Sequence, residues 1–294
     1  MGCRAFRTQA TNRPALRLPL AMQRRQAILC ISSLSPSHRG NLEGGGVVFS
    51  SLTVEEWAGG LDAVATQVLQ AAGVDGPPVD AIGVARALGL RVAVDDGQPC
   101  RARYVRLRGR RGGPSRPAIL VRSDPRLERR QWAVAHEIGE HVAHRVFRVF
   151  GVDPRTVSPA IREAVANQMA GRLLLPTAWF AAAAASADWD LGALKDRFST
   201  ASHELIARRT LELPSPAIIA VFDQGRLTWR RGNVPGRLPP PSPDEIRCWN
   251  VVHREGRPEQ TAHAVGRIRG WPVHEPGWKR EILRTEIAWE SAWA

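Results

Sequence analysis

Between Trp132 and Arg145 the chain reads WAVAHEIGEHVAHR, which places His136, Glu137, Glu140, His141 and His144 within nine consecutive positions. Imidazole nitrogen and carboxylate oxygen are both zinc ligands, and a glutamate beside the first histidine can serve as general base. That is the logic of the helical H-E-x-x-H arrangement, in which histidines four apart share one face. Here the residue four after His136 is Glu140, and the histidine arrives one place later, at His141. At about 100° per residue, Glu140 lies roughly 40° from His136 around a helix and His141 roughly 140° away. A regular helix therefore offers His136 and Glu140 to one ion. His141 can join His136 only through a π-type bulge, and Gly139 stands where such a distortion costs least. A carboxylate in place of an imidazole adds negative charge and makes a slower hydrolase at neutral pH. His144, nearly one turn past His141, is a further candidate that is expected on the exposed side of the helix.

The elements that must position these residues are legible around them. TVEEWAGGLDAVATQVLQAAG opens with Thr53 as N-cap and Glu56 three later, keeps a helical apolar spacing and stops at Gly73. Asp80 caps a short helix ended by Gly89, and LRVAV reads as a strand. A basic loop, Arg101 to Arg116, then leads to the strand PAILV. The long helix carrying the histidines is expected to be capped by Ser123 or Asp124, with Pro125 at its first position, and to close at Gly151. The next helix opens at Ser158 and Pro159 and stops before Pro176. Its apolar residues Ile161, Val165, Met169 and Leu173 form one stripe, and Glu163 lies off it. DLGALKDRFSTASHELIARRTLEL suggests two short helices in a helix-turn-helix shape. AIIAVFDQGRLTWRR reads as a hairpin turning at Asp223 to Gly225. The proline-rich 234–243 then resembles a stiff linker before a small unit, 244–294, with a helix start at SPDEIRCW and strand-like pieces beyond it.

Three segments in this order, RRQWAVAHEIGEH, EAVANQMA (an E-x-x-A-N-x-x-A pattern) and RLLLP, resemble the ImmA/IrrE-type zinc metallopeptidases, and the likeness extends over about residues 55 to 225. In that family two histidines of H-E-x-x-H bind zinc, the intervening glutamate is the general base, and the glutamate of E-x-x-A-N is the third ligand. The resemblance implies His136 as first ligand, Glu137 as general base and Glu163 as third ligand. The second ligand is Glu140 by gapless register or His141 by chemical kind. The dipeptidyl peptidase III family shows that H-E-x-x-x-H can also bind zinc. The resemblance also implies a protein substrate, with a DNA-bound regulator as the natural class, and metal-assisted hydrolysis in which Glu137 moves the proton. His203, Arg208 and Arg209 are candidate transition-state donors. The implied fold is mixed α+β: a helical zincin-like core with a small sheet, followed by a small β-containing C-terminal unit.

Composition bounds the alternatives. A 294-residue chain, 44% hydrophobic, can bury a large core. No apolar run approaches the roughly 18 residues of a membrane span. Cys3, Cys30, Cys100 and Cys248 are scattered without C-x-x-C pairing, which fits a reducing cytoplasm and speaks against a thiolate zinc site. Of the net charge of +13, residues 1–46 contribute 7 − 1 = +6 and the rest 13 − 6 = +7, a moderately basic, enzyme-like balance. That first segment is Arg-rich and shows no apolar period. It reads as a non-native or disordered extension, 1–47: either a transit peptide or translated upstream sequence of a bacterial gene that starts at Val47 or Val48. The domains expected are then 48–233, the linker 234–243 and the unit 244–294. The competing function is a catalytically weak or inactive regulator that uses the fold as a sensor or a protein- or DNA-binding module. The helix bearing Glu204, Arg208 and Arg209 would then approach DNA, although it lacks base-reading Asn or Gln. Six of the ten tryptophans lie from Trp229 onward among arginines, a pattern that suits the core of a small unit or a partner surface.

Overall fold

The computed structural model describes residues 52–107, 114–263 and 266–288, so the N-terminal extension expected over 1–47 lies outside the described residues. The sequence-predicted helices form: α1 (Val54–Ala71), α2 (Ala81–Ala87), α3 (Leu127–Val149), α4 (Pro159–Leu174), α6 (Leu191–Arg197) and α7 (His203–Thr210), and a further helix, α5 (Thr177–Ser186), stands between α4 and α6. The Thr53 hydroxyl and the Glu56 carboxylate make a reciprocal capping box at α1, and Ser158 caps α4 with Pro159 in its first turn. Trp57 of α1 stacks on Phe150 at 5.1 Å and donates its indole N–H to Gln168 of α4, which packs α1 across the α3–α4 pair.

Two details of the reading are corrected. α3 starts at Leu127 with Arg126 as an N-cap that offers no side-chain bond. The expected caps are engaged elsewhere: Asp124 accepts the amide N–H of Arg126 in a local turn, and Ser123 donates its amide and hydroxyl to Asp96. The basic loop is also largely a strand. Residues Ala102–Leu107 form β2, which pairs antiparallel with β3 (Arg116–Val121), while β1 (Arg91–Val94) runs parallel to β3 on its other side. Alternation explains this. Ala102 and Tyr104 pack on the core, whereas Arg101 and Arg103 point away, so the arginines hid a period-2 strand. β2 is an edge strand that runs beside α3.

The second sheet has five antiparallel strands in the order β5-β4-β8-β7-β6, from β4 (Ala217–Asp223), β5 (Arg226–Gly232), β6 (Glu259–His263), β7 (Gly266–Glu275) and β8 (Trp278–Glu286). The β-containing C-terminal unit is thus present, but residues 234–243 do not divide two sheets, because β4 pairs along its whole length with β8. Every residue of β4 from Ala217 to Phe222 is buried, too apolar to be left with an open edge. Ile219, Val221, Trp271 and Ile282 face the helical core, while Ala220, Phe222, Ile268 and Leu283 face the last helix, α8 (Pro243–Glu255). α8 is fastened by Glu281, wholly buried, which accepts from Trp249 Nε1 at 3.1 Å and His253 Nδ1 at 2.9 Å.

Candidate metal centre

α3 is regular throughout, with no π-type turn. Its His136 and Glu140 fall on one face, and there Glu163 of α4 meets them. One donor atom from each of the three lies within 4.8 Å of the others. His136 Nε2 and Glu163 Oε2 stand 3.5 Å apart. Ligands at ~2.0–2.1 Å from a tetrahedral zinc are themselves roughly 3.4 Å apart, so this spacing fits the ion.

The close crossing of α3 and α4 makes this possible. A Cβ on Gly139 would lie 2.6 Å from the Ala166 carbonyl oxygen, 3.0 Å from Ala166 Cα and 3.1 Å from Met169 Cβ. Only a glycine on α3 facing an alanine on α4 lets the two backbones touch. The contact sits between the two α3 donors and three residues after Glu163. Gly139 therefore serves the crossing, not the helix bulge the sequence suggested for it.

Asn167 joins the two helices chemically. Its Nδ2 donates to Glu163 Oε1 at 3.0 Å, and its Oδ1 lies 3.1 Å from His136 Nδ1. With the amide so oriented, His136 Nδ1–H is the donor and Nε2 is the ring nitrogen turned toward the two carboxylates. Sequence reading quoted Asn167 without giving it a role; the available signal was an amide one turn after Glu163, on the same face.

Glu137 is nearly buried and accepts the backbone N–H of Tyr104, on β2, at 2.6 Å. Burial raises its carboxyl above the ordinary range. The positive field of His136 and the Tyr104 N–H offset part of that rise, and Glu140 and Glu163 add to it. Such a carboxyl is suited to taking and returning a proton.

His141 lies outside the donor group. Its ring rests on Tyr104 at 5.4 Å, and burial, helped by His144, Arg145 and Arg106, lowers its pKa. An undistorted helix puts it on the wrong side of α3 from His136. His144 is half-buried, with Nδ1 on the His141 carbonyl oxygen at 3.0 Å. The other expected donors are used structurally. His203 is partly buried in the field of Lys195 and Glu128, and Glu128 stands eight residues, roughly 12 Å, before His136 on α3. Arg208 stacks on Trp229 at 4.4 Å and pairs with Glu204. Arg209 is buried, donating to the Leu175 carbonyl and Thr177 while pairing with Glu212. Of the helix residues expected to approach DNA, Arg209 is buried, whereas Arg208 is exposed and paired with Glu204. Arg172, from RLLLP, is buried between Asp62 at 3.1 Å and Glu212 at 2.9 Å, which ties α4 to α1 and to the end of α7.

This geometry coincides with a family match. Residues 85–210 match the Peptidase_M78 model, described as the IrrE N-terminal-like domain. That span is similar to an ImmA/IrrE-type domain. It contains His136, Glu137, Glu140, Glu163 and Asn167 and ends at α7. A search of curated proteins finds no match. Among solved structures, the fold is shared with a Mycobacterium tuberculosis transcriptional regulator at a TM-score of 0.53 and 19% identity, over 79% of this chain and 80% of that one. Such coverage is wider than the ImmA/IrrE-type span and reaches into the elements that flank it. Among the described residues no helix is long and apolar enough to cross a membrane.

Proposed function

We propose that the protein is a cytoplasmic, zinc-dependent endopeptidase whose substrate is another protein, with DNA-binding regulators as the natural class. His136, Glu140 and Glu163 are its metal ligands and Glu137 its general base. The observation that carries this reading is the donor group itself: three ligands from two helices, with Asn167 fixing the histidine tautomer and one carboxylate at once.

Bound zinc would supply Lewis-acid polarisation of the scissile carbonyl. The chain's own part is distinct. Glu137, held by the Tyr104 amide and raised by burial, accepts the proton of the attacking water and returns it to the leaving amine. Asn167 holds the Nδ1 proton of His136, so that Nε2 is the nitrogen offered to the metal, and it keeps Glu163 oriented. The β2 edge beside Glu137 offers backbone groups along which an extended chain can lie.

One observation favours a second reading, a regulator with little or no catalysis. Glu140 occupies the place of a neutral imidazole, and the added negative charge weakens Lewis acidity. Elemental analysis of the full chain, with Glu163→Gln, Glu140→Ala and His141→Ala variants, tests the assignment. Near-stoichiometric zinc in the parent and in the His141 variant, but in neither of the other two, is the expected result. Loss with His141→Ala instead would move the second ligand. A parent that takes up no zinc after reconstitution ends the peptidase reading in favour of the regulator.

A further inference from the structure

Two clefts flank the donor group along α3, and the one toward the start of the helix has an unusual wall. It is lined by Arg101, Arg122, Arg129 and Arg130, with Asp124 and Ala133 also at its surface, and has a volume of about 150 Å³. Among the described residues Arg101, Arg122 and Arg130 make no ion pair, and Arg129 reaches Asp124 only at 3.7 Å. Asp96 stands behind Ser123, whose amide and hydroxyl it accepts. Four guanidinium groups against two carboxylates leave this concavity about +2. A guanidinium is the side chain best shaped to grip a carboxylate in a partly desolvated pocket.

The cleft is in line with the donor group. Arg129, Ala133, His136 and Glu140 follow one another at 4, 3 and 4 residues, a single stripe along α3. Arg129 stands seven residues before His136, roughly 10 Å along the axis. β2 spans the same interval: Arg101 is at the cleft, and Tyr104, three residues on, is bonded to Glu137. An extended chain advances ~3.3 Å per residue, so it covers the interval in three residues, as β2 itself does.

We infer that this arginine-lined cleft is a subsite for an acidic side chain of the protein substrate, about three residues along the chain from the bond that is cut. The inference rests on the endopeptidase reading for the position of the cut, but not for the binding. A nucleic acid fits less well. Its phosphates repeat along the strand, and one running on from the cleft would meet Glu137, Glu140 and Glu163, whereas a peptide can place one acidic residue in the cleft and neutral residues beside the carboxylates.

The test uses the full chain with a metal chelator present, so that it does not depend on zinc or hydrolysis. Labelled dodecapeptides of Ala and Ser, carrying either Glu or Gln at one internal position, are titrated by fluorescence anisotropy. The Glu peptide is expected to bind on the order of tenfold more tightly than its Gln twin. That preference should disappear in an Arg122→Ser/Arg130→Ser double variant whose melting temperature matches the parent. Equal binding of the two peptides, no binding of either, or a preference that survives in the folded double variant overturns the inference. So does displacement of the Glu peptide by a dodecameric single-stranded DNA that binds more tightly than it does. Adding zinc to the parent then reads the other proposal separately: selective Glu binding without cleavage leaves the subsite standing and removes the endopeptidase.

Discussion

Asn167 does for this site what neither His136 nor Glu163 can do alone. One amide accepts from the imidazole of α3 and donates to the carboxylate of α4, so both donors are oriented before any ion arrives. Asn167→Ala should therefore keep one zinc per chain at saturation but weaken it by about 10–100-fold, measured by competition with a chromophoric chelator. Glu137→Gln should do the opposite, holding zinc as the parent does while peptide hydrolysis drops by ~10²–10⁴-fold in a fluorogenic assay. The choice between Glu140 and His141 rests on one residue of register, and it is Glu140 that lies with His136 and Glu163. Helix geometry alone favoured Glu140, because an unbroken ladder of hydrogen bonds costs nothing to keep. The role of Asn167 was not legible in the same way: spacing put it on the face of Glu163 but could not show that His136, 31 residues earlier, came within reach.

At the scale of elements, the site is a helix crossing. Gly139→Ala would push a methyl group into the Ala166 carbonyl and force α3 and α4 apart. Overpacking of this kind costs about 1–3 kcal/mol, to be read in urea denaturation, and zinc affinity should fall with it because Glu163 rides on the displaced helix. The sequence revealed which face of each helix carries chemistry, since periodicity is a local property. It did not reveal the distance between the helices, and so the same glycine suggested a bulge. β2 was missed for a related reason. Arg101, Arg103 and Arg106 resemble a solvated loop when read as composition, although Ala102 and Tyr104 between them face the core, and Tyr104 supplies the amide that holds Glu137.

For the molecule as a whole, Glu245 joins the pieces that sequence assigned to different units. It accepts from Arg230 of β5 at 2.8 and 3.1 Å, from Thr285 of β8 at 2.6 Å and from the Ser242 amide at the head of α8. Burial would raise this carboxyl, but those bonds outweigh it and hold the pKa below the ordinary value of 4.5. A depressed folded pKa means stability present above the unfolded value and lost as pH falls through the folded one. Glu245→Gln should accordingly cost about 3 kcal/mol at pH 7, with parent and variant melting temperatures converging as the pH drops below 4.5. A fragment ending at residue 233 should aggregate on size-exclusion chromatography, where the full chain elutes cleanly, because it exposes the β4 edge that β8 covers. The same pairing sets an order in time. β4 ends at Asp223 and its partner begins at Trp278, so a chain emerging from the ribosome completes the helices that carry the candidate ligands well before the sheet beneath them can close. For that interval the newborn protein carries its helices on an unfinished floor, and whatever guards its open strand during synthesis also decides how much folded protein the cell obtains.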